Sequence, residues 1–194
     1  MLIAYRIFEV NAHAQRPELK QFAPHEWVNM AESFFDKVSD SEDNVSTRYY
    51  VRVDGANLLS QKDFYAQYAP EKMPEQVSEL PGTIVQVDLS LKNEDDKPAE
   101  YNLFEMFLAS RDNAKIFLYD SSLFAAYENK EVTEEVGGID IIVINPGKEV
   151  KYSVFYTLNT GEDQKYLHSH IGQHLYLLAG LASPRLEIDL PSLD

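Results

Sequence analysis

The sequence predicts an α+β fold: a largely antiparallel sheet of about seven strands packed with three or four helices, in a single domain over residues 1–194. Several short segments alternate apolar and polar residues, as half-buried strands do, and fewer segments repeat apolar residues at helical spacing. No internal repeat, low-complexity tract or interdomain linker divides the chain. These three observations lead to the predicted fold class.

The first predicted elements are a strand and a helix. Residues 2–10 are rich in β-branched and aromatic residues, which favours an opening strand. From Pro24 to Val38 apolar residues recur at helical spacing, and a proline suits the first turn of a helix.

A strand and a capped helix follow. Residues 47–53 alternate in polarity and predict a half-buried strand that ends in a turn at Asp54-Gly55. Ser60 and Asp63 have the spacing of an approximate capping box, which predicts a short helix through Tyr68.

The middle of the chain predicts an antiparallel meander. Residues 83–92 place Val85, Val87, Leu89 and Leu91 on one face and polar side chains on the other. Residues 100–109 and 114–119 follow after short polar loops and predict the next two strands. Residues 121–130 predict a short helix.

The last third predicts a hairpin, a helix and a closing strand. Residues 139–144 and 150–158 flank Asn145-Pro146-Gly147-Lys148, which has the chemistry of a tight hairpin turn. Residues 160–182 have helical spacing, and alternation over residues 186–190 favours a final strand. The apolar stripe of the predicted helix comprises Leu167, Ile171, Leu175, Leu178 and Ala182.

The charge of the chain is its strongest global signal. Its 17 Lys and Arg residues against 32 Asp and Glu residues give a net charge of −15. A field of this sign repels nucleic acid and anionic membranes and speeds encounter with cationic partners. We therefore expect a basic protein partner, with no direct binding of nucleic acid or membrane, although solubility explains the charge equally well.

Cysteine is absent, which excludes a disulfide framework, a thiolate zinc site and a cysteine nucleophile. The N-terminal segment lacks the features of a signal peptide, and no stretch approaches the roughly 20 apolar residues of a membrane helix. We expect a cytoplasmic protein. No phosphate loop or hydrolase elbow is present, so the sequence predicts no cofactor.

The histidines His168, His170 and His174 offer a candidate metal site, because histidine is the commonest metal ligand. On a helix, His170 and His174 lie one turn apart on one face, whereas His168 points elsewhere. A zinc enzyme with such a pair adds a Glu and a third ligand, which are missing between these two positions. Histidines flanking a buried stripe are the competing interpretation.

A nuclease-like pattern is the second candidate, with Asp140 on one strand and Glu149-Val150-Lys151 on the next. In the predicted hairpin, Asp140 lies opposite Ser153, which puts the two carboxylates roughly 13 Å apart and too far to share an ion. We expect ordinary strand-end and solvent-facing roles for these residues.

Acidic and aromatic residues together offer a third candidate, a protein interface. The acidic candidates are Glu94, Asp95, Asp96, Glu131, Glu134 and Glu135. The candidate aromatic anchors are tyrosines, among them Tyr49, Tyr50, Tyr65, Tyr68, Tyr152, Tyr156 and Tyr166. Core packing of the tyrosines and simple solvation of the acids compete with this interpretation.

Three functions follow from these candidates. The first is an inhibitor or immunity protein that blocks a basic nuclease toxin or a nucleic-acid-binding complex; small acidic inhibitors of this kind share the size and charge of this chain. The second is a metal-assisted hydrolase built on His170 and His174. The third is a structural or assembly protein that associates through an exposed sheet edge.

Overall fold

A computed structural model describes residues 18–32, 47–77, 79, 84–102, 106–110, 116–127, 133–136, 139–157, 175–179 and 184–191. For residues 32, 133–136, 139 and 140 it describes the backbone. The fold below refers to these parts of the chain.

Most of the described backbone is extended. The strands are β1 (Leu19–Phe22), β2 (Val28–Asn29), β3 (Tyr49–Leu59), β4 (Ile84–Asn93), β5 (Ala99–Asn102), β6 (Met106–Ser110), β7 (Ile116–Phe117), β8 (Thr133–Val136), β9 (Ile139–Ile144), β10 (Glu149–Thr157), β11 (Leu175–Ala179) and β12 (Arg185–Asp189). The α-helices among these residues are α1 (Gln61–Tyr68) and α2 (Ser121–Tyr127), and single 3-10 turns span Met30–Glu32 and Pro70–Lys72.

The strands form three sheets. Sheet I has five strands in the order β1-β12-β11-β6-β7, sheet II has four in the order β10-β4-β3-β2, and sheet III has three in the order β5-β9-β8. Within the described pairings, β1 and β12 run parallel and the others are antiparallel. Strands distant in sequence are therefore neighbours in sheets I and II.

One apolar core joins the three sheets. Val87 of sheet II, Leu108 of sheet I and Ile142 of sheet III are fully buried in the same cluster of side chains. Burying each such side chain contributes about 1.5–3 kcal/mol relative to leaving it exposed. The inner faces of the sheets are thus held together by this shared core.

The outer face of sheet II is covered at one end by the two helices. Phe64 of α1 and Leu123 of α2 pack on Ile84 and Phe155 in a second, smaller cluster. The rings of Phe64 and Phe155 meet edge to face with centroids 4.8 Å apart. The other end of this face carries polar residues, described below.

The predicted α+β class is wrong, because the described fold is mostly β with two short α-helices. The clearest error is the predicted last helix: Leu175 and Leu178 lie in β11, whose five residues are all buried. When every residue of a segment is buried, apolar spacing no longer separates a strand from a helix. Residues 158–174 lie outside the described part.

The predicted helix from Pro24 to Val38 is also wrong where the chain is described. Val28 and Asn29 form β2, and a single 3-10 turn follows at Met30–Glu32. Backbone pairing of Val28 with Val51 of β3 overrides the helical spacing. Residues 33–46, like the predicted opening strand at residues 2–10, lie outside the described part.

The predicted meander and hairpin are wrong in their pairing. The predicted strand over residues 100–109 is divided between β5 of sheet III and β6 of sheet I. The turn before Lys148 does form, since its N–H donates to the Asn145 carbonyl at 3.2 Å and Gly147 has a φ of 68°. That turn joins β9 of sheet III to β10 of sheet II.

Several local predictions are confirmed. Tyr49, Val51 and Val53 are buried, as the alternation over residues 47–53 predicts. Ser60 and Asp63 form a full capping box at the start of α1. Residues 121–127 form α2 inside the predicted helix. The single-domain prediction over residues 1–194 stays a prediction.

Substitution of a core leucine tests the shared core. Leu108 is 0% exposed and Leu118 is 65% exposed, so the same change removes packing at one position only. We expect Leu108→Ala to lower the free energy of unfolding by about 2–5 kcal/mol. Leu118→Ala should change it by less than about 0.5 kcal/mol. Urea denaturation of both variants measures the difference, and equal losses would contradict this core.

Candidate functional site

A polar row lies on the outer face of sheet II. Gln86, Asp88, Ser90 and Lys92 alternate along β4 with the apolar residues that face the core, as the sequence predicts. Because β4 lies between β3 and β10, side chains from both neighbours reach this row. The row is therefore the floor of a surface shared by three strands.

A β-bulge in β3 adds a carboxylate to this surface. Val53 pairs with Leu89 and Gly55 pairs with Asp88, so Asp54 is an extra residue in the ladder. The predicted Asp54-Gly55 turn is therefore wrong, because β3 continues through it to Leu59. Bulges of this kind redirect side chains and are frequent beside functional sites.

Asp54 is fully engaged by its neighbours. Arg52 Nε donates to Asp54 Oδ1 at 2.6 Å, Ser90 Oγ donates to Asp54 Oδ2, and Arg52 also donates to Ser90 Oγ at 3.2 Å. Burial raises the pKa of Asp54, but the hydrogen bonds from Arg52 and Ser90 and the charges of Arg52 and Lys151 outweigh it and lower that pKa. The charge of Asp54 is thus balanced locally.

Asp88 accepts hydrogen bonds through one of its two carboxylate oxygens. Gln86 Nε2 and Ser153 Oγ both donate to Asp88 Oδ1, each at 2.6 Å. Oδ2 accepts no hydrogen bond from the described residues, and a Cβ atom added to Gly55 would lie 3.3 Å from it. The missing side chain of Gly55 therefore leaves room beside this oxygen.

Two tyrosines from the helices stand over the row. Tyr68 of α1 donates its hydroxyl hydrogen bond to Gln86 Oε1 at 2.9 Å, and Tyr127 of α2 is hydrogen-bonded to Ser153. Their rings meet edge to face at 5.5 Å. Burial, with the negative charge of Asp88, raises the pKa of both hydroxyls, so they stay neutral at physiological pH.

Helix caps place these tyrosines. The Ser60 hydroxyl accepts from the Asp63 N–H at 3.0 Å at the start of α1. At the start of α2, Asp120 Oδ1 accepts from the N–H groups of Ser122 at 2.9 Å and Leu123 at 3.2 Å. Each cap satisfies N–H groups that the first turn of a helix leaves without partners.

A cavity of about 310 Å³ opens between the bulge, β10 and Tyr127. It is lined by Asp54, Gly55, Asp88, Leu89, Tyr127, Lys151, Tyr152 and Ser153. Its volume is at the lower end of cavities that hold small ligands. Lys151 is exposed and forms no ion pair with the described residues, although its charge acts on Asp54. The cavity therefore contains two carboxylates and one ammonium group, with no salt bridge between Lys151 and either carboxylate.

The opposite end of the polar row is covered by an aromatic side chain. The Trp27 ring lies 4.4 Å from the Arg52 guanidinium and 4.6 Å from the Lys92 ammonium. Lys92 also lies 4.8 Å from the Tyr50 ring and pairs with Glu94 at 2.7 Å. These contacts fix two cations of the outer face in place.

The acidic candidates Glu94, Asp95 and Asp96 occupy the turn between β4 and β5. Asp95 accepts hydrogen bonds from the Thr47 N–H at 2.8 Å, from the Thr47 hydroxyl at 3.1 Å and from the Asp96 N–H at 2.8 Å. The backbone hydrogen bond from Thr47, with those from Asp96, holds the pKa of Asp95 well below its ordinary range. Asp95 therefore organises the turn, whereas Glu94 and Asp96 are exposed.

The other acidic candidates are described in part. Glu134 and Glu135 lie in β8, where their backbones pair with Ile141 and Asp140 of β9. Sheet III connects them to β5, the strand after the acidic turn. Glu131 lies outside the described residues, so the convergence of the acidic clusters stays a prediction.

The structure gives no positions for the candidate metal ligands. His168, His170 and His174 lie outside the described residues, and within the described residues no group of three or more potential ligands is placed to hold a metal ion. The predicted hairpin of the nuclease-like pattern is wrong, since Asp140 lies in sheet III and Glu149 in sheet II. The roughly 13 Å separation inferred from that register therefore does not apply.

The predicted tyrosine anchors divide into two groups. Tyr49, Tyr152 and Tyr156 are buried, so the competing interpretation, packing in the core, is the one that applies to them. Tyr50, Tyr65 and Tyr68 are half-buried, and Tyr166 lies outside the described residues. The predicted alternation over residues 47–53 already placed Tyr49 on the opposite face from Tyr50.

Removing the Asp120 cap tests how much it stabilises α2, the helix that carries Tyr127. We expect Asp120→Ala to lower the free energy of unfolding at pH 7 by about 1 kcal/mol. Burial raises the pKa of Asp120, but hydrogen bonds from Ser122 and Thr157 and from backbone N–H groups outweigh it and lower that pKa. Because the folded pKa lies below the unfolded one, this stabilisation is complete above about pH 5 and is lost as pH falls through the folded value.

Urea denaturation of the wild type and Asp120→Ala at a series of pH values measures this effect. The difference between the two proteins should be largest near neutral pH and shrink below about pH 4. Ser121→Ala, at an exposed position of the same helix, is the control. A difference that grows as the pH falls would contradict the assigned cap.

No α-helix in the described ranges is long and apolar enough to cross a membrane.

Comparison with solved structures gives distant similarities. The yjhA protein of Bacillus subtilis has a TM-score of 0.41 and 9% identity, over 88% of this chain and 99% of that chain. A conserved hypothetical protein of Bacillus anthracis has a TM-score of 0.39 and 15% identity, over 67% of this chain and 80% of that chain. An uncharacterised β-sandwich protein of Clostridium difficile 630 has a TM-score of 0.38 and 11% identity, over 92% of this chain and 100% of that chain.

No curated protein matches this chain significantly. The model of the family DUF5028, described as a domain of unknown function, matches residues 19–178. This match covers most of the chain, which therefore belongs to the DUF5028 family.

Proposed function

We propose that this chain is a binding protein that recognises and blocks a basic protein partner, such as a nuclease toxin or a nucleic-acid-binding complex. The observation that carries the proposal is the net charge of −15 on 194 residues. A field of this sign raises the rate of encounter with a cationic surface and opposes direct binding to nucleic acid. The partner, on this proposal, is recognised first by charge.

The organisation of the acidic turn supports this proposal. Asp95 receives three hydrogen bonds from Thr47 and Asp96, so its carboxylate is used inside the protein. The Glu94 N–H donates to the Arg48 carbonyl at 2.8 Å, which further fixes the turn on β3. A fixed turn loses little conformational entropy when a partner binds, so Asp96 and Glu94 are suited to charge contacts, although Glu94 already pairs with Lys92 at 2.7 Å.

The acidic strand β8 extends the proposed surface. Glu134 and Glu135 lie in the same sheet as β5, and Glu131 precedes them in sequence. Glu134 pairs with Ile141, which pairs with Asn102 at the end of β5 away from the acidic turn. Because exposed charges more than about 8 Å apart are largely screened in physiological salt, these residues join the proposal as a second acidic patch. We include all three in the proposed contact surface.

An intracellular site of action is part of the proposal. The absence of cysteine is compatible with a reducing compartment, where disulfides do not form. Fractionation of cells that produce an epitope-tagged full chain tests this part, and recovery from the cytoplasmic fraction is the expected result. The hydrolase and assembly hypotheses gain no supporting observation from the described residues, and they stay predictions.

Charge reversal tests the electrostatic mechanism once the partner is captured from the native source at low salt and identified by mass spectrometry. We expect Glu94→Lys with Asp96→Lys to slow association by roughly tenfold at low salt and to flatten its salt dependence. Stopped-flow or surface plasmon resonance at several salt concentrations measures both effects. Asp95 is left unchanged because it organises the turn.

The matched control is Glu71→Lys with Glu75→Lys, which makes the same charge change at exposed positions in and after the 3-10 turn at Pro70–Lys72. A smaller loss in this control supports a local role for the acidic turn. Equal losses in the two double variants, or binding that ignores salt, would contradict it.

A further inference from the structure

The cavity beside the β-bulge is lined by two carboxylates, Asp54 and Asp88, and by the ammonium group of Lys151, which forms a salt bridge with neither. Asp88 is bound by the neutral donors Gln86 and Ser153, and Lys151 forms no ion pair with a described residue. The neighbouring Asp54 differs, because Arg52 already balances its charge at 2.6 Å. Of the two carboxylates that line the cavity, Asp88 is therefore the one without a cationic hydrogen-bond donor, and Lys151, whose charge also acts on Asp54, is the ammonium group open to a ligand.

The sheet register sets the spacing of these two groups. Ser153 pairs with Asp88, and Lys151 pairs with Ser90 one step along the same face. Asp88 and Lys151 are therefore diagonal neighbours, with backbones about 7–8 Å apart. A short ligand that carries a cation and an anion fits between them.

Asp88 is already oriented to accept a ligand. Two donors fix Oδ1, and Gly55, which lines the cavity with Asp88, has no Cβ to crowd Oδ2. The backbone of Gly55 is outside the left-handed region, so its conformation does not require glycine. The feature that does favour glycine is the space beside Oδ2, where a Cβ would lie at only 3.3 Å.

Aromatic rings form the wall of the cavity. Tyr127 and Tyr152 both line it, with their rings edge to face at 5.5 Å. Tyr127 also contacts Phe155 at 5.2 Å, so its ring is held by packing on both sides. A rigid apolar wall beside two charges excludes water from one side and strengthens the electrostatic contacts of a bound ligand.

We infer that this cavity binds a small zwitterion of the α-amino-acid class. The ligand ammonium group donates to Asp88 Oδ2, the ligand carboxylate accepts from the Lys151 ammonium, and the ligand side chain lies along Tyr127. The volume of about 310 Å³ suits a ligand of this size. This inference does not depend on the proposed basic protein partner.

Calorimetric titration of the full chain with each of the twenty standard α-amino acids tests the inference. We expect at least one to bind with a dissociation constant below about 1 mM. Its methyl ester, which lacks the carboxylate charge, and its N-acetyl form, which lacks the ammonium charge, should each bind at least about tenfold more weakly, since each loses one charged contact.

Variants assign the binding to this cavity. Asp88→Asn keeps an oxygen for the donors Gln86 and Ser153 but removes the charge, and Lys151→Met removes the ammonium group. Each should weaken binding of the chosen amino acid at least about tenfold. Gly55→Ala should also weaken it, because its Cβ crowds Oδ2.

Matched controls are Glu75→Gln and Lys148→Met, which make the same charge changes at exposed positions outside the cavity and should leave binding unchanged. Since Lys151 is exposed, Lys151→Met tests the site even if Asp88→Asn fails to fold. The inference is overturned if none of the twenty amino acids binds, if the ester and N-acetyl forms bind as well as the parent, or if Lys151→Met has no effect.

Discussion

The alternation along β4 is the constraint on which the described structure depends. Because successive side chains of a strand point to opposite faces, the same ten residues form the apolar floor of the core and the polar row outside it. β4 pairs with β3 on one side and β10 on the other over nearly its whole length. A shift of one residue in either pairing would turn the side chains of the shifted strand to the opposite face, so the core and the cavity depend on the same register.

The features of this fold that can be predicted from the sequence are those set by residues close together in the chain. The faces of β4, the capping box of α1 and the start of α2 depend on residues within a few positions of one another, and the sequence predicts all three. Pairing between distant segments is different. The Asn145–Lys148 turn shows where the chain reverses, but turn chemistry does not determine whether the flanking strands share a sheet.

The same distinction explains what the sequence missed in the candidate site. The alternation along β4 predicts that its polar row faces outward, as any solvated strand face does. What makes it a site is the hydrogen bond from Ser153 to Asp88, across 65 positions of sequence, and the approach of Tyr127 from α2. The glycine in Asp54-Gly55 indicated a turn, whereas a bulge uses the same residue types.

The bulge at Asp54 has a consequence for the length of β3. Before it, odd-numbered residues such as Val51 and Val53 face the core; after it, Ala56 is buried, so even-numbered residues do. The inward and outward positions of β3 therefore alternate in opposite phase before and after the bulge. Deletion of Asp54 would leave Val53 and Gly55 paired with consecutive residues of β4, so the strand would straighten and lose this carboxylate while the residues up to Leu59 keep their faces. Deletion of a paired residue between Gly55 and Leu59 would instead turn the residues beyond it to the opposite face, so this strand tolerates a change of length only at the bulge.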